Sequence, residues 1–194
     1  MGLIEKLDTW VRETAMHQCV AVGLDRMDCT LDVNFSPTQN IDNVFINGLL
    51  KTLDDTGFPP EKLNLEIIES ANMNFDERNF KGLSRLKENG TILSLDDFGT
   101  GHSSFANLIR VPATSVKIKK IFLGGIVRDE HRQYFLRMLT DIAHYFGMLL
   151  IAEGVETPEQ LALLRQFGVD YAQGYLFSKP LSFEKLRRET WRFK

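Results

Sequence analysis

Hydrophobic residues along this chain follow two spacings that alternate. One recurs every three or four residues, as at Leu3, Leu7 and Trp10, and is typical of an amphipathic helix. The other is a short apolar run or an alternation of apolar and polar residues, as from Thr30 to Phe35, and is typical of a strand. Helices are predicted near residues 2–21, 41–56, 80–89, 104–110, 135–146, 157–168 and 181–191, and strands near residues 30–35, 63–68, 92–97, 115–118, 148–153 and 169–173.

Helix and strand alternate along the chain, which indicates parallel strands joined by right-handed crossovers. An open doubly wound sheet and a barrel both have this order. Polar residues favour the barrel, because they lie at or next to the carboxyl ends of the predicted strands, where a TIM-barrel active site is built. These residues are Asn34, Glu66, Asp96, Asp97, Lys117, Glu153 and Gln173. The predicted fold is therefore α/β and TIM-barrel-like.

The pair Asp96 and Asp97 ends a run of β-formers and precedes a turn rich in glycine and small hydroxyl residues. Adjacent carboxylates raise each other's pKa unless a cation neutralises them, so a divalent metal site with one ion or two explains the pair. Taken alone, an exposed Asp-Asp turn explains it equally well. Glu66 taken alone fits a solubility device on an edge strand better than a ligand. The polar residues at all the strand ends together favour a functional site.

Composition narrows the classes of partner. The chain has 194 residues, 43% hydrophobic and 25% charged, which suits one globular domain. A net charge of −3 and a pI near 5.8 leave no basic surface for a long nucleic-acid polymer, but they allow a small anion held by metal ions. Cys19 and Cys29 form no disulfide or zinc pattern, so a reducing, cytoplasmic location is expected. No apolar run approaches the ~20 residues of a membrane span, so no membrane partner is expected.

The motifs at the strand ends resemble those of the EAL-type phosphodiesterases, which hydrolyse the bacterial second messenger cyclic di-GMP. The motifs are Val33-Asn34-Phe35-Ser36, Leu65-Glu66-Ile67-Ile68-Glu69, Asp96-Asp97-Phe98-Gly99-Thr100-Gly101, Val116-Lys117-Ile118, Ala152-Glu153-Gly154-Val155-Glu156-Thr157 and Gln173-Gly174-Tyr175. The resemblance runs from about Gly2 to Leu181 and identifies residues 1–194 as a single EAL-type domain. It implies a modified TIM barrel and metal-assisted attack of water on one phosphodiester bond, which gives linear pGpG.

The resemblance implies a metal site as well. Asn34, Glu66 and Asp96 would hold one Mg²⁺ or Mn²⁺ ion, while Asp96 and Asp97 would reach a second ion. These oxygen ligands, without a histidine or cysteine cluster, agree with Mg²⁺ or Mn²⁺ rather than zinc.

The resemblance also implies roles for the other site residues. Lys117 would orient the attacking water or stabilise charge on the phosphate. Glu153 would be a metal ligand or the general base, and Gln173 would bind a water molecule in the site. Glu69 and Glu156 would brace the loop that follows the Asp96–Asp97 strand.

Three features depart from the family pattern. The Glu-Ala-Leu motif that names the family is absent, because the chain begins at the helix that normally follows the first two strands, so six of the usual eight barrel strands are expected. The missing Glu would normally be a metal ligand. Lys119 replaces the acid that usually follows Lys-Ile, and His102 stands where a tyrosine is common.

Two functions are compatible with this sequence. The chain is either a cyclic di-GMP phosphodiesterase, or a catalytically degenerate EAL-like domain that acts as a cyclic di-GMP receptor or a regulator through protein interaction. Retention of the other site residues favours the enzyme, whereas the missing Glu favours the receptor. The resemblance also implies an upstream sensor or GGDEF-type domain in a longer protein.

An incomplete barrel would leave two strands, near residues 30–35 and 169–173, with open edges. Each buried unsatisfied backbone group costs ~1–3 kcal/mol, whereas a domain is stable by only ~5–15 kcal/mol. We therefore expect upstream residues that complete the barrel, then a homodimer that pairs the edges, then a marginally folded chain, in that order.

Overall fold

The computed structural model describes residues 3–35, 41–68, 77–99, 108 and 110–188. The helices within these ranges are α1 (Leu3–Val22), α2 (Asn43–Thr56), α3 (Glu77–Glu88), α4 (Glu130–Tyr145), α5 (Pro158–Gln166) and α6 (Phe183–Arg188). The strands are β1 (Leu31–Phe35), β2 (Leu63–Ile68), β3 (Ile92–Asp96), β4 (Ser115–Ile118), β5 (Leu149–Glu153) and β6 (Tyr171–Gln173). Short 3₁₀ turns cover Leu24–Arg26, Pro60–Lys62 and Lys120–Phe122.

The strands form one parallel sheet in the order β1 to β6, as the alternation of helix and strand predicts. Because the strands are parallel, their carboxyl ends meet along one rim of the sheet. The register places Asn34 opposite Glu66. It also places Glu153 opposite Gln173. The polar residues that the sequence puts at strand ends therefore share this rim.

The sheet curves into a half-barrel. Its concave side encloses a cavity of about 500 Å³ that residues of every strand line, from Asp32 on β1 to Tyr171 on β6. The first and last strands thus face one cavity, which an open flat sheet would not allow. Within the described ranges, the predicted TIM-barrel-like fold with six strands is confirmed.

Strand β2 is buried on both faces. Leu63, Leu65 and Ile67 belong to the hydrophobic core, while Asn64 and Glu66 are buried on the concave side. Since β2 lies between β1 and β3 in the sheet, it is not an edge strand. The interpretation of Glu66 as an edge-strand solubility device is therefore wrong.

Polar side chains cross the concave side below the rim. Ser94 Oγ donates a hydrogen bond to Asn64 Oδ1 at 2.8 Å and lies 2.6 Å from Ser115 Oγ. All three residues are buried, so these bonds satisfy polar groups that water does not reach. The network links β2, β3 and β4 directly beneath the candidate site.

The helix boundaries follow local capping signals. Thr157 caps α5 as predicted, with Gln160 completing the reciprocal capping box. The N-caps Asp42 of α2 and Asp129 of α4 were not predicted; their carboxylates accept backbone N–H groups of the first turn. Among the described residues, none of the helices is both long and apolar enough to cross a membrane.

Some predicted boundaries differ from the observed ones. Helix α3 begins at Glu77 rather than near residue 80, and β3 ends at Asp96 because Asp97 adopts a left-handed φ of 64° that breaks the extended backbone. The helix predicted over 104–110 lies outside the described residues apart from 108 and 110. The last predicted helix, 181–191, is observed as Phe183–Arg188, and residues beyond 188 lie outside the described part.

Candidate active site

A buried lysine joins two carboxylates at the carboxyl ends of the strands. Lys117 of β4 forms an ion pair with Oε1 of Glu66 on β2, and its Nζ lies 2.7 Å from Oε1 of Glu153 on β5. Only 2% of the Lys117 side chain and 8% of the Glu66 side chain are exposed. Water is largely excluded from this pair, so each buried charge depends on the other for stabilisation.

Lys117 reaches β2 across the intervening strand β3. The register pairs Glu66 with Ser94, and Ser94 with Ser115. Lys117 follows two residues after Ser115 and so lies on the same concave face. The long side chain of Lys117 therefore spans the neighbouring strand β3 to contact Glu66.

Burial changes the ionisation of these groups. Burial raises the pKa of Glu66 to about 7, although the hydrogen bond and charge of Lys117 act in the opposite direction. Burial also raises the pKa of Asp96, against the positive charges of Lys117 and Lys119. For Lys117, burial alone would lower the pKa, but the hydrogen bonds and charges of Glu153 and Glu66 together raise it above its ordinary value. Lys117 therefore remains an ammonium group at neutral pH.

The turn after β3 is fixed against β4. Asp97 donates its backbone N–H to Asp96 Oδ1 at 2.8 Å, and Phe98 donates its N–H to the carbonyl of Lys117 at 3.1 Å. The Lys119 ammonium lies 2.6 Å from Asp97 Oδ1. Gly99 packs so closely against Phe122 that a Cβ atom at position 99 would lie 2.7 Å from the ring. These contacts together fix the positions of Asp96 and Asp97.

The loop after β5 connects to β6 and to the 3₁₀ turn after β4. Val155 donates its N–H to the carbonyl of Gln173 at 3.0 Å, while the side chain of Gln173 is exposed. Lys120 Nζ lies 2.6 Å from Glu156 Oε1. Glu156 thereby holds the turn Lys120–Phe122, whose Phe122 ring contacts Gly99 in the turn after β3.

We call the residues at the strand ends the mouth of the half-barrel. The structure places seven predicted site residues there: Asn34, Glu66, Asp96, Asp97, Lys117, Glu153 and Gln173. It brings Lys117 into contact with Glu66 and Glu153, whereas Asn34 is exposed at the end of β1. Glu69, predicted to brace the loop after β3, and His102, a departure from the family pattern, lie outside the described residues.

The donor atoms of the mouth fit a hard divalent cation by their chemistry. Asn34, Glu66 and Asp96 offer amide and carboxylate oxygens from three neighbouring strands, which is the ligand type of Mg²⁺ and Mn²⁺. Among the described residues, no three side chains of His, Cys, Asp or Glu come together in a metal-binding group. The Lys117 ammonium group lies between Glu66 and Glu153 and already provides the positive charge at that place.

The supporting residues of the mouth were not predicted from the sequence. Asn64, Ser94 and Ser115 form the polar network beneath it, and Lys120 anchors Glu156. The alternation of side chains along a strand could have identified the first three, because each lies two residues before a predicted site residue and on the same face. No local signal identifies the partner of Lys120, since Glu156 follows a different strand.

Comparison with known proteins finds the same family that the sequence motifs resemble. The family model described as "EAL domain" matches residues 1–180. The cyclic di-GMP phosphodiesterase NbdA of Pseudomonas aeruginosa is 34% identical over 191 residues, which cover 95% of this chain and 24% of NbdA. The chain spans about a quarter of the length of the curated relatives it matches, with shares of 25%, 23% and 24%.

Solved structures resemble the fold closely. The PaMucR phosphodiesterase in complex with c-di-GMP superimposes with a TM-score of 0.84 at 30% identity, covering 95% of this chain and 75% of that one. The EAL domain of Mycobacterium smegmatis DcpA superimposes with a TM-score of 0.88 at 29% identity, covering 96% of this chain and 84% of that one.

Proposed function

This chain belongs to the EAL domain family, and from this premise we propose that it hydrolyses cyclic di-GMP to linear pGpG. Relatives named as cyclic di-GMP phosphodiesterases support a hydrolase of this class. The observation that carries the proposal is the buried ion pair of Lys117 with Glu66 and Glu153 at the mouth, next to Asp96. Charged groups held in this way, away from water, are suited to a reaction in which negative charge develops on a phosphate.

Hydrolysis of a phosphodiester needs an attacking water and positive charge on the phosphate oxygens. Lys117 supplies the charge, because its raised pKa keeps it protonated and its two carboxylate partners fix its ammonium group. Such a group donates hydrogen bonds and does not accept a proton from water. We therefore assign Lys117 to orientation and charge stabilisation rather than to general base catalysis.

Glu153 is the better placed acceptor for the proton of the attacking water. Its side chain is 26% exposed, whereas that of Glu66 is 8% exposed, so substrate and water can reach Glu153. The 2.7 Å contact with Lys117 holds its carboxylate at the mouth. Gln173, opposite Glu153 in the register, is exposed and able to donate a hydrogen bond to a water on the same side.

Asn34, Glu66 and Asp96 would hold a Mg²⁺ or Mn²⁺ ion in this proposal. When bound, such an ion increases the acidity of water and neutralises charge on the phosphate. The residues of the chain then orient the nucleotide and accept the proton. Asp96 favours a further cation beside Lys117, because the one ammonium group of Lys117 already contacts Glu66 and Glu153 and burial raises the pKa of Asp96.

Separation of nucleotides by liquid chromatography tests the proposed function. Cyclic di-GMP incubated with the protein and Mn²⁺ should be converted to linear pGpG, and Glu66→Gln should slow the conversion strongly. Asp141→Asn, an exposed acid on α4, is the matched control and should act as the wild type. Binding of intact nucleotide without product would instead support the receptor function.

Thermal unfolding with Mn²⁺ gives an independent prediction about the ion. At a free concentration about a hundred times the dissociation constant, Mn²⁺ should stabilise the wild type by about 2.7 kcal/mol, because only the folded chain assembles the ligands. Asp96→Asn should lose most of this stabilisation, while Asp141→Asn should keep it. Equal shifts in melting temperature for wild type and Asp96→Asn would contradict the assignment of Asp96 as a ligand.

A further inference from the structure

Lys119 forms an ion pair inside the mouth. Its Nζ lies 2.6 Å from Asp97 Oδ1, and the Lys119 and Asp97 side chains are 46% and 18% exposed. Asp97 is thus the more enclosed partner and Lys119 reaches it from the side of the solvent. The contact joins the turn after β3 to the residue that follows β4.

The backbone fixes this pair as well as the side chains. Asp97 takes a left-handed φ of 64°, a conformation that aspartate tolerates better than most residues. Its neighbour Phe98 donates an N–H to the carbonyl of Lys117, which aligns the turn with the end of β4. Lys119, two residues after Lys117, directly precedes the 3₁₀ turn Lys120–Phe122. Its carbonyl accepts a hydrogen bond from Phe122 N–H at 3.0 Å. Both ends of the ion pair are therefore held by main-chain hydrogen bonds.

The two lysines of the mouth contact different carboxylates. Lys117 contacts Glu66 and Glu153, and Lys119 contacts Asp97, while the charges of both lysines act on Asp96. When all are ionised, these four carboxylates and two ammonium groups leave two negative charges, which one divalent cation would balance. At Asp97 an ammonium group of the chain already lies in direct contact with the carboxylate.

We propose, on the premise of the proposed function, that Lys119 takes the place of a second divalent ion at Asp97. The mouth then binds one Mg²⁺ or Mn²⁺ ion, on the side of Glu66 and Asp96. An ion that used Asp97 as a ligand would have to displace the Lys119 ammonium or lie beside it, and like charges at such short distances repel strongly. The sequence resemblance predicts two ions, and Lys119 is the residue that changes this number to one.

The adjacent lysine provides a matched control. Lys120 also makes a 2.6 Å contact with a carboxylate, but its partner is Glu156 in the loop after β5. Removing the charge of Lys120 therefore alters a neighbouring ion pair without changing the compensation of Asp97. Lys119→Arg is the conservative variant, because it keeps the positive charge at position 119.

The test is a titration with Mn²⁺, followed by calorimetry and by equilibrium dialysis with metal analysis. Wild type, Lys119→Arg and Lys120→Met should each bind one ion per chain. Lys119→Met should bind a second ion, at least about tenfold more tightly than any second ion in the wild type. Asp97→Asn should still bind one ion per chain, with an affinity lowered by the unpaired charge of Lys119, and this result is informative even if a Lys119 variant does not fold.

The outcomes separate this proposal from the proposed function. Two ions in the wild type, no gain of an ion in Lys119→Met, or complete loss of the ion in Asp97→Asn would each overturn it. Hydrolysis of cyclic di-GMP is measured separately and does not enter the count of ions. A chain that gains an ion in Lys119→Met but hydrolyses no nucleotide would therefore support this proposal and refute the function.

Discussion

Lys117→Met is expected to hydrolyse cyclic di-GMP about a hundred- to a thousandfold more slowly than the wild type. Loss of one preorganised donor to a developing negative charge typically has an effect of this size. Methionine keeps most of the length of the side chain and removes its charge. The ammonium group that contacts Glu66 and Glu153 is then lost. Initial rates at saturating nucleotide measure the effect, and Lys51→Met, on an exposed lysine of α2, is the control.

The same substitution should also destabilise the fold. Removal of one partner of a buried ion pair costs about 3–5 kcal/mol, because the remaining carboxylate is buried without compensation. Here Glu66 and Glu153 both lose their partner, and Glu66, whose side chain is 8% exposed, is the more buried of the two. Rates must therefore be compared at a temperature where each variant is folded.

A double variant tests the origin of the lost stability. Lys117→Met with Glu66→Gln removes the buried charge of Glu66 as well, so it should recover much of the lost stability in a urea titration. It should not recover hydrolysis, since both the ammonium group and the Glu66 carboxylate are absent. Recovery of both would show that neither residue takes part in hydrolysis.

Gly174→Ala is expected to destabilise the chain by about 3 kcal/mol or more, at the upper end of the effects of overpacking. A Cβ atom at this position would lie 2.2 Å from the Val155 carbonyl oxygen and 2.3 Å from the Val155 nitrogen. These backbone atoms cannot move away freely, because Val155 N–H donates to Gln173 and its carbonyl accepts from Leu176. The methyl group must therefore displace the contact between the loop after β5 and the end of β6.

Thermal unfolding measures this effect against Gly48→Ala as control. Gly48 lies within α2, and a Cβ atom at position 48 would meet no neighbouring atom within 4 Å, so alanine should stabilise the helix by about 0.5–1 kcal/mol. Gly174→Ala should lower the melting temperature by about 10 °C, given the usual relation for a domain of this size. An unchanged melting temperature would mean that β5 and β6 are not packed as described.

The strands and their polar ends were predictable because their signals are local. Alternation over five or six residues defines β1 and β2, and a glycine or proline marks where the chain turns. Parallel order then places Asn34 and Glu66 on the same rim without knowledge of the tertiary structure. The capping box of Thr157 and Gln160 is a further local signal that the structure confirms.

The contacts within the site were not predictable in the same way. The contact of Lys117 with Glu66 joins residues 51 positions apart and spans an intervening strand, so it depends on how the sheet brings β2 and β4 together around β3. Similarly, the pairing of Lys119 with Asp97 depends on the left-handed turn at Asp97. The sequence showed that a basic residue replaces an acid at position 119, but not which carboxylate it would neutralise.

A single-turnover experiment tests the proposed function most directly. The protein, in molar excess over cyclic di-GMP and with Mn²⁺ present, is quenched at successive times and the nucleotides are separated. The expected result is loss of cyclic di-GMP with matching formation of linear pGpG in the wild type, and no such conversion on the same timescale by folded Lys117→Met. Recovery of the nucleotide intact from the folded wild type, or equal rates for the two proteins, would contradict the assignment of the mouth as a phosphodiesterase site centred on Lys117.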